Sequence, residues 1–227
     1  RVLVLTESQG QHKPFSDAAV KWLGDERKGQ NLQIQILNNT RLLAQKEVLE
    51  GTDLVIQLDF PPYTWPKEAE QNFINYINEG RGGWIGFHHA TLLGDFDGYP
   101  LWQWFSDFMG GIRFQNYIAP LADGTVIVED KEHPVMKGVD ASFVVQDDEW
   151  YTYDKSPRPN VRVLAHVDES TYTPASAVKM GDHPVVWVNE GKAARNVYFQ
   201  MGHSPKLFQS DDFTMMLSNA IRWTLKK

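Results

Sequence analysis

A glycine-rich segment from Arg81 to Thr91 constrains the fold of this chain more than any other feature. Glycines lead into a short apolar run, which two histidines and then small residues follow. This order predicts a buried parallel strand that ends in a sharp turn into a helix, with one side chain presented at the bend. Such a bend usually presents serine or cysteine, but here it carries His88 and His89, and the chain contains no cysteine. Imidazole binds metals and moves protons, so the segment predicts an active site without ordinary acyl-enzyme chemistry.

Composition restricts the partners. The 227 residues carry a formal charge of −7, which argues against a nucleic-acid partner because phosphate neutralisation needs clustered lysine and arginine. We expect no membrane span, since no apolar run approaches about 20 residues. A cysteine-free chain suits an exported or periplasmic protein as well as a cytoplasmic one. Arg1 enters a strand directly, which fits a cleaved export signal or a shortened chain equally well.

Short apolar runs alternate with amphipathic segments in the first half of the chain. Strands are predicted at Val2 to Thr6, Leu32 to Leu37, Asp53 to Leu58 and Trp84 to Phe87. One helix is expected from Ser16 to Trp22, with Gly24 past its end, and another from Thr64 to Gly80. Strand–helix–strand alternation of this kind gives a parallel sheet with right-handed crossovers.

The second half has a less regular pattern. A helix is predicted from Tyr99 to Met109 and a final amphipathic helix from Phe213 to Leu225. Long loops, which we expect to be functional, run from Asp147 to Asn160 and from Glu169 to Asp182. Further strands are predicted at Thr125 to Val128, Phe143 to Val145, Val161 to Val167, Val185 to Val188 and Val197 to Gln200. We find no repeat or linker and predict one α/β domain over residues 1–227.

Chemically useful side chains follow several of these strands. In open α/β sheets, ligands bind outside the carboxyl ends of the strands, so residues that follow different strands should share one rim. The segments expected there are Glu7 to His12, His88 and His89, Asp147 to Tyr151, Gly181 to Pro184, and Met201 to Pro205.

Five strings within these regions resemble one known family. They are Gly86 to His88, Asp148 to Tyr151, Val163 to Ala165 continuing to Asp168 to Tyr172, Gly181 to Trp187, and Gly202 with His203. In this order they resemble the ThuA-like (trehalose utilisation) family over essentially the whole chain. The resemblance implies a flavodoxin-like three-layer sandwich with a mostly parallel central sheet, similar to class I glutamine amidotransferases. It also implies a small carbohydrate as partner and a role in disaccharide catabolism, on oxidised (3-keto) glucosides.

The amidotransferase catalytic pattern is broken in this chain. Against its Gly-x-Cys-x-Gly bend, His88 stands at the cysteine and Ala90 at the second glycine. Against its His-Pro-Glu, His203 keeps the histidine while Pro205 and Lys206 follow without an acid. Glutamine hydrolysis is therefore not expected.

The candidate catalytic residues are His88, His203 and Glu149. Unpaired backbone N–H groups and the helix dipole at the bend disfavour imidazolium, so we expect neutral His88 near pH 7, although Asp148 or Glu149 would oppose this. If the three converge, they form a two-histidine, one-carboxylate set suited to a divalent ion, Zn²⁺ or Mn²⁺. If they only surround a sugar, they could run proton transfer beside a ketone.

Six further residues are predicted to bind the substrate, and they are His12, His89, Asp148, Trp150, Tyr151 and His183. Two classes of function remain open. One is an enzyme, a hydrolase, lyase or isomerase, acting on a disaccharide or its 3-keto derivative by acid–base or metal-assisted chemistry. The other is a carbohydrate-binding or accessory module on a degenerate amidotransferase-like scaffold. The lost triad acid favours the module, and the concentration of imidazoles and carboxylates on one rim favours the enzyme.

Overall fold

The structure, a computed structural model, describes residues 1–30 and 32–225. The strands are β1 (Val2–Leu5), β2 (Ile34–Leu37), β3 (Leu54–Gln57), β4 (Gly83–Phe87), β5 (Phe114–Tyr117), β6 (Ala122–Val128), β7 (Ser142–Asp148), β8 (Tyr151–Tyr153), β9 (Arg162–Thr173), β10 (Pro184–Val188) and β11 (Asn196–Phe199). The α-helices are α1 (Lys13–Gln30), α2 (Lys46–Glu50), α3 (Lys67–Asn78), α4 (Gln103–Phe108) and α5 (Asp211–Leu225). Within these described residues, no helix is long and apolar enough to cross a bilayer.

Nine strands form one mixed sheet in the order β2-β1-β3-β4-β11-β10-β9-β6-β7. The first five pair in parallel, and the remaining pairings are antiparallel. Following the pairings along the sheet, β10 and β6 run against the other described strands, so the sheet is mostly parallel. β5 and β8 pair in a small second sheet. The carboxyl ends of β1, β3, β4 and β11 therefore lie side by side along one edge.

Alternating side chains of the parallel strands feed two separate cores. Val4 and Phe87 face α1 and α5, where Phe15 and Phe213 complete one apolar cluster. Leu5, Val55 and Trp84 face the opposite way and pack with α3 and α4 in a second cluster. Both faces of the central strands are buried, which explains why these strands read as continuous apolar runs. The result is a three-layer sandwich.

The α/β three-layer fold with a mostly parallel sheet is confirmed, and the corrections concern particular boundaries. Helix α1 begins at Lys13 and runs through Gly24 to Gln30, because packing against the sheet outweighs the cost of one glycine. The Tyr99 to Met109 helix shortens to α4. The predicted loops from Asp147 to Asn160 and from Glu169 to Asp182 are partly strand, since β8 and the end of β9 lie within them.

The bend after β4 also differs from the prediction. A single 3₁₀ turn, His88–Thr91, follows the strand in place of a long helix. A turn of this length sums very few peptide dipoles. A helix dipole is therefore not the reason for a neutral His88.

Replacement of Phe73 by alanine tests the second core. The Phe73 ring is wholly buried and contacts the rings of Trp65, Tyr76, Trp102, Trp104 and Phe105. Phe73→Ala should lower the free energy of unfolding, measured by urea denaturation, by about 3–5 kcal/mol because it leaves a cavity. Met215→Ala on the exposed side of α5 should change it by no more than about 0.5 kcal/mol. Equal effects of the two changes would contradict this packing.

Candidate functional site

His88 stands at the bend that ends β4, with its side chain wholly buried and its backbone at φ +34°. Parallel pairing of β4 with β11 brings the two strand ends together. The Nδ1 of His88 lies 2.9 Å from the backbone carbonyl oxygen of Gln200. A carbonyl only accepts, so Nδ1 carries the hydrogen and Nε2 presents its lone pair when the ring is neutral. The β11 contact thus fixes both the orientation and the tautomer of this imidazole.

Gly202 allows this approach. A Cβ atom at Gly202 would lie 2.7 Å from the Cβ of His88 and 3.3 Å from that of Phe87. The residue is therefore glycine because two backbones meet closely here, and not because of an unusual dihedral angle.

The carboxylate of Glu149 contacts the Nε2 atom of His88. The Oε2 of Glu149 lies 3.0 Å from the Nε2 of His88 and 3.9 Å from the Nε2 of His12. Glu149 directly follows β7, so its contact with His88 joins residues 61 positions apart.

Asp148, beside Glu149, is a buried clamp between two segments. Its carboxylate accepts hydrogen bonds from the backbone N–H groups of Glu149, at 2.8 Å, and His203, at 3.1 Å. Burial raises the pKa of Asp148 to about 7 although these donors lower it. The predicted candidates Glu149 and His203 are therefore held relative to each other by one enclosed carboxyl group.

Three more imidazoles surround this point. The ring of His12 lies with its centroid 5.0 Å from that of His88, 3.9 Å from that of His89 and 4.5 Å from that of His203. His12 comes from the loop between β1 and α1, and it occupies the middle of the cluster. The Nδ1 of His89 donates to the backbone carbonyl of Asp59 at 2.7 Å, so the Nε2 of a neutral His89 carries the lone pair, as in His88.

Burial controls the protonation of these groups. It lowers the pKa of His88, and it lowers the pKa of His203 to about 4, with the neighbouring His12 adding in the same direction. Burial would raise the pKa of Glu149, but its contacts with His12 and His88 lower it overall. The site thus favours neutral His88 and His203 beside an ionised Glu149. Neutral His88 agrees with the sequence-based expectation, but the physical cause is desolvation.

Two sets of side chains have the donor spacing of a metal site. In each set one ligand atom per residue lies within 4.8 Å of the others, and the sets are His12, His88 and His89, and His12, Glu149 and His203. His12 belongs to both. Glu149 and His203 of the sequence-based set thus share a possible metal site with His12, whereas His88 belongs to the other set. The histidine common to both sets is one that the sequence assigned to substrate binding.

The other predicted substrate ligands separate into two groups. The ring of Tyr151 packs on that of His88 with centroids 3.9 Å apart. Asp148, Trp150 and His183 are enclosed by protein. Trp150 donates its Nε1–H to the backbone carbonyl of Ala122. These three side chains are buried beneath the site. In this arrangement they cannot contact a substrate directly.

His183 shows what that support does. Its Nδ1 lies 2.9 Å from Oε1 of Glu169, and its Nε2 lies 2.9 Å from the backbone carbonyl of Tyr151. The imidazole of His183 thus connects the carboxylate of Glu169 to the backbone of Tyr151. Tyr151, and with it the ring stacked on His88, is held in place by this network.

One acidic residue of the site, Asp59, was missed from the sequence, whereas Glu7 lies in a segment expected on the rim. Asp59 is buried beyond the end of β3, where its carboxylate accepts from the Glu7 N–H at 2.7 Å and from the Ser16 hydroxyl at 2.8 Å. Burial raises the pKa of Glu7, and the nearby charges of Asp59 and His12 act on it in opposite directions. The strand-end rule that selected His88 applies equally to Asp59, which follows β3 after one apolar residue.

Lys206 occupies the position where the amidotransferase pattern has its acid. Its ammonium group pairs with the carboxylate of Asp147, on the solvent side of the clamp formed by Asp148. His203 is thus left without a carboxylate from its own segment, and the carboxylate near it is Glu149.

The fold and the site together define a class I amidotransferase-like α/β sandwich whose nucleophile position holds an imidazole. The family model for ThuA, trehalose utilisation, matches residues 1–224. The chain belongs to this family, which connects it to carbohydrate utilisation. No curated protein matches the chain at a significant level.

Solved structures agree with this assignment. A ThuA-like protein from Bacteroides uniformis is 30% identical, with a TM-score of 0.84 over 98% of this chain and 89% of that one. A ThuA-like protein from Parabacteroides merdae is 18% identical, with a TM-score of 0.73 over 99% and 89%. A GMP synthase protein from Thermoplasma acidophilum is 12% identical, with a TM-score of 0.54 over 98% and 94%, a likeness of fold alone.

Gly202→Ala and Gly24→Ala should change stability in opposite directions. The added methyl group at Gly202 collides with His88, whereas nothing lies within 4 Å of the Cβ position at Gly24 inside α1. We expect Gly202→Ala to lower the free energy of unfolding by about 1–3 kcal/mol and Gly24→Ala to raise it by up to about 1 kcal/mol. Urea denaturation measures both. A neutral Gly202→Ala would mean that β4 and β11 are not in close contact at their ends.

Proposed function

We propose that the protein is an enzyme of carbohydrate catabolism that acts on a disaccharide or its oxidised 3-keto derivative. Proton transfer by Glu149 and the surrounding histidines, above all His88 and His203, carries the chemistry. The observation that supports this most is the contact between Glu149 and His88 at 3.0 Å, with His12 3.9 Å from the same carboxylate oxygen. Ionisable groups buried together at a strand-end rim are typical of a catalytic site.

The chemistry follows from the protonation states. Next to a ketone, a base removes a C–H proton and the electron pair of that bond moves onto the carbonyl oxygen, giving an enolate. Glu149 is the base in this scheme, because it is the carboxylate in contact with the imidazoles of His88 and His12 and it is ionised at neutral pH. The proton taken up by Glu149 passes to the neutral imidazole of His88, whose Nε2 lies 3.0 Å from Oε2, or to that of His203, and the imidazole returns it to oxygen or carbon. Every proton removed is thus returned within the site, which leads to isomerisation or to departure of a neighbouring group.

Three aromatic side chains beside the site offer a surface for a sugar ring. The ring centroid of Tyr63 lies 5.5 Å from that of Phe96 and 6.3 Å from that of Tyr99, and Tyr99 is 46% exposed. Burial and the negative charge of Glu7 raise the pKa of Tyr63. This aromatic cluster therefore lies near Glu7, at the acidic side of the site. Aromatic faces of this kind pack against the apolar faces of sugars.

That surface also supports the second candidate, a carbohydrate-binding module without chemistry. Ring packing needs no proton transfer, and Lys206 with Asp147 closes the position of the lost triad acid. In this case the histidines would orient hydroxyl groups only. The two candidates differ in one property, because only the enzyme depends on the charge of Glu149 during turnover.

Glu149→Gln separates them. The change keeps the shape of the side chain but removes the base, so kcat/KM on a 3-keto-glucoside should fall by about 100-fold or more. Glu129→Gln is the matched control, since Glu129 follows the reversed strand β6 and pairs with Arg158 away from the site. The assay is product formation followed by chromatography, with calorimetric binding of the same sugar in parallel.

Each result has a distinct meaning. Turnover by the native protein that Glu149→Gln abolishes and Glu129→Gln retains is the expected outcome. Sugar binding without turnover, equal in native protein and Glu149→Gln and weakened by Tyr99→Ala, would favour the binding module. Turnover unchanged in Glu149→Gln would contradict the assignment of the base.

A further inference from the structure

His12 contains the most unusual polar atom of the site. Its Nε2 is buried and has no hydrogen-bond partner among the described residues. The carboxylate nearest to it, Oε2 of Glu149, is 3.9 Å away, which is beyond hydrogen-bond distance. A buried nitrogen left without a partner costs about 1–3 kcal/mol, so a ligand that uses its lone pair would recover that cost.

His88 and Glu149 present a second unsatisfied contact. The Nδ1 hydrogen of His88 is committed to the carbonyl of Gln200, so a neutral ring turns a lone pair toward Oε2 of Glu149, 3.0 Å away. Two acceptors at this distance repel unless a cation lies between or beside them. Either a proton or a metal ion meets this requirement.

The surroundings favour the metal ion. The wholly buried ring of His88 lies beside the rings of His12 and His89. A divalent ion binds imidazole through the lone pair of a ring nitrogen, and the Nε2 lone pair of His88 is directed at Glu149. His88 and His89 also donate their Nδ1 hydrogens to backbone carbonyls, the outer contacts that metal-binding histidines usually make.

We propose that the protein binds one divalent ion of the Zn²⁺ class, with His12, His203 and Glu149 as ligands and the Nε2 of His88 as the next nearest donor. The three named ligands have donor atoms within 4.8 Å of one another. Three protein ligands leave a coordination position open, as in catalytic zinc sites. This proposal stands on the donor geometry and goes beyond the proposed function, because it holds whether or not a sugar is turned over.

The donor chemistry selects the ion. Imidazole nitrogens suit Zn²⁺, Ni²⁺ and Co²⁺, whereas Mg²⁺ and Mn²⁺ prefer sites built from oxygen. Bonds of about 2.0–2.1 Å to nitrogen bring ligand atoms to about 3.3 Å from one another. The donor atoms must therefore move closer together when the ion binds. The backbones of His88 and Gly202 are fixed by their close contact, so the side chains of His12 and His203 make this movement.

The test measures binding of Zn²⁺ and Co²⁺ by the whole protein after dialysis against a chelator. Calorimetry gives the stoichiometry and affinity for Zn²⁺, and the visible absorption of bound Co²⁺ reports nitrogen ligation. The variants are His12→Gln, His203→Gln and Glu149→Gln. The control is His166→Gln, because His166 pairs with Glu129 outside the cluster. Circular dichroism checks that each variant is folded.

We expect one equivalent of Zn²⁺ per chain, with His166→Gln unchanged. Each ligand variant should weaken binding by about 100-fold or more, beyond the 10- to 100-fold effect usual for supporting residues. Absence of stoichiometric Zn²⁺ and Co²⁺ binding by the native protein overturns the proposal. Binding retained in folded Glu149→Gln and His203→Gln overturns it as well, and these two variants decide the matter if His12→Gln does not fold.

These results are distinguishable from those on function. Stoichiometric binding without turnover of any 3-keto-glucoside would leave the metal site standing and count against the enzyme. Turnover that persists after complete removal of metal would leave the enzyme standing and show that the ion serves no acid–base step, whereas the metal site itself stands or falls by the Zn²⁺ and Co²⁺ binding measurements.

Discussion

The close approach of β4 and β11 at their carboxyl ends is the constraint on which the site depends. The two strands pair in parallel with Phe87 opposite Phe199, so His88 and Gln200 leave the sheet side by side. Because Gly202 has no side chain, the bend can close until the imidazole of His88 reaches the carbonyl of Gln200. That single hydrogen bond sets the ring's tautomer, and burial keeps the ring neutral. The Nε2 of His88 is thereby held in one position, and Glu149 and the other imidazoles lie around it.

A second constraint couples groups that are remote in sequence. The buried carboxyl of Asp148 accepts backbone hydrogen bonds from Glu149 and from His203, so the end of β7 and the end of β11 move together. The pKa of about 7 follows from the burial of this group. Without this clamp, the positions of Glu149 and His203 would depend on the rotamers of their own side chains. The hydrogen bonds to Asp148 fix the backbone of both residues instead. Precise placement of this kind is what proton transfer and metal binding both require.

Most of the fold could be predicted from the sequence, whereas the centre of the site could not. Buried runs such as Leu54–Gln57 and the bend at His88 follow from local pattern, and the strand-end rule correctly brings His88, His203 and Glu149 to one place. His12 lies at the centre because α1 starts at Lys13, earlier than capping residues suggested, and this brings His12 over the sheet edge. Trp150 and Asp148 look like an exposed rim in sequence, but long-range pairing of β6 and β7 buries both. Local periodicity contains no information about either event.

The position of Glu149 in the site depends on two connections between the segments that follow β7 and β11. His88 keeps a left-handed backbone at the nucleophile position, φ +34°, a strain of about 1–3 kcal/mol that persists only where surrounding contacts determine it. Lys206, at the position of the acid, pairs with Asp147, which is adjacent to the clamp at Asp148. The same two segments are therefore joined twice, by an exposed ion pair and by a buried carboxyl. That double connection holds the segment after β7 beside the segment after β11, and Glu149 of the first segment contacts the Nε2 of His88. A carboxylate and an imidazole therefore meet at the bend where the amidotransferase pattern has its cysteine.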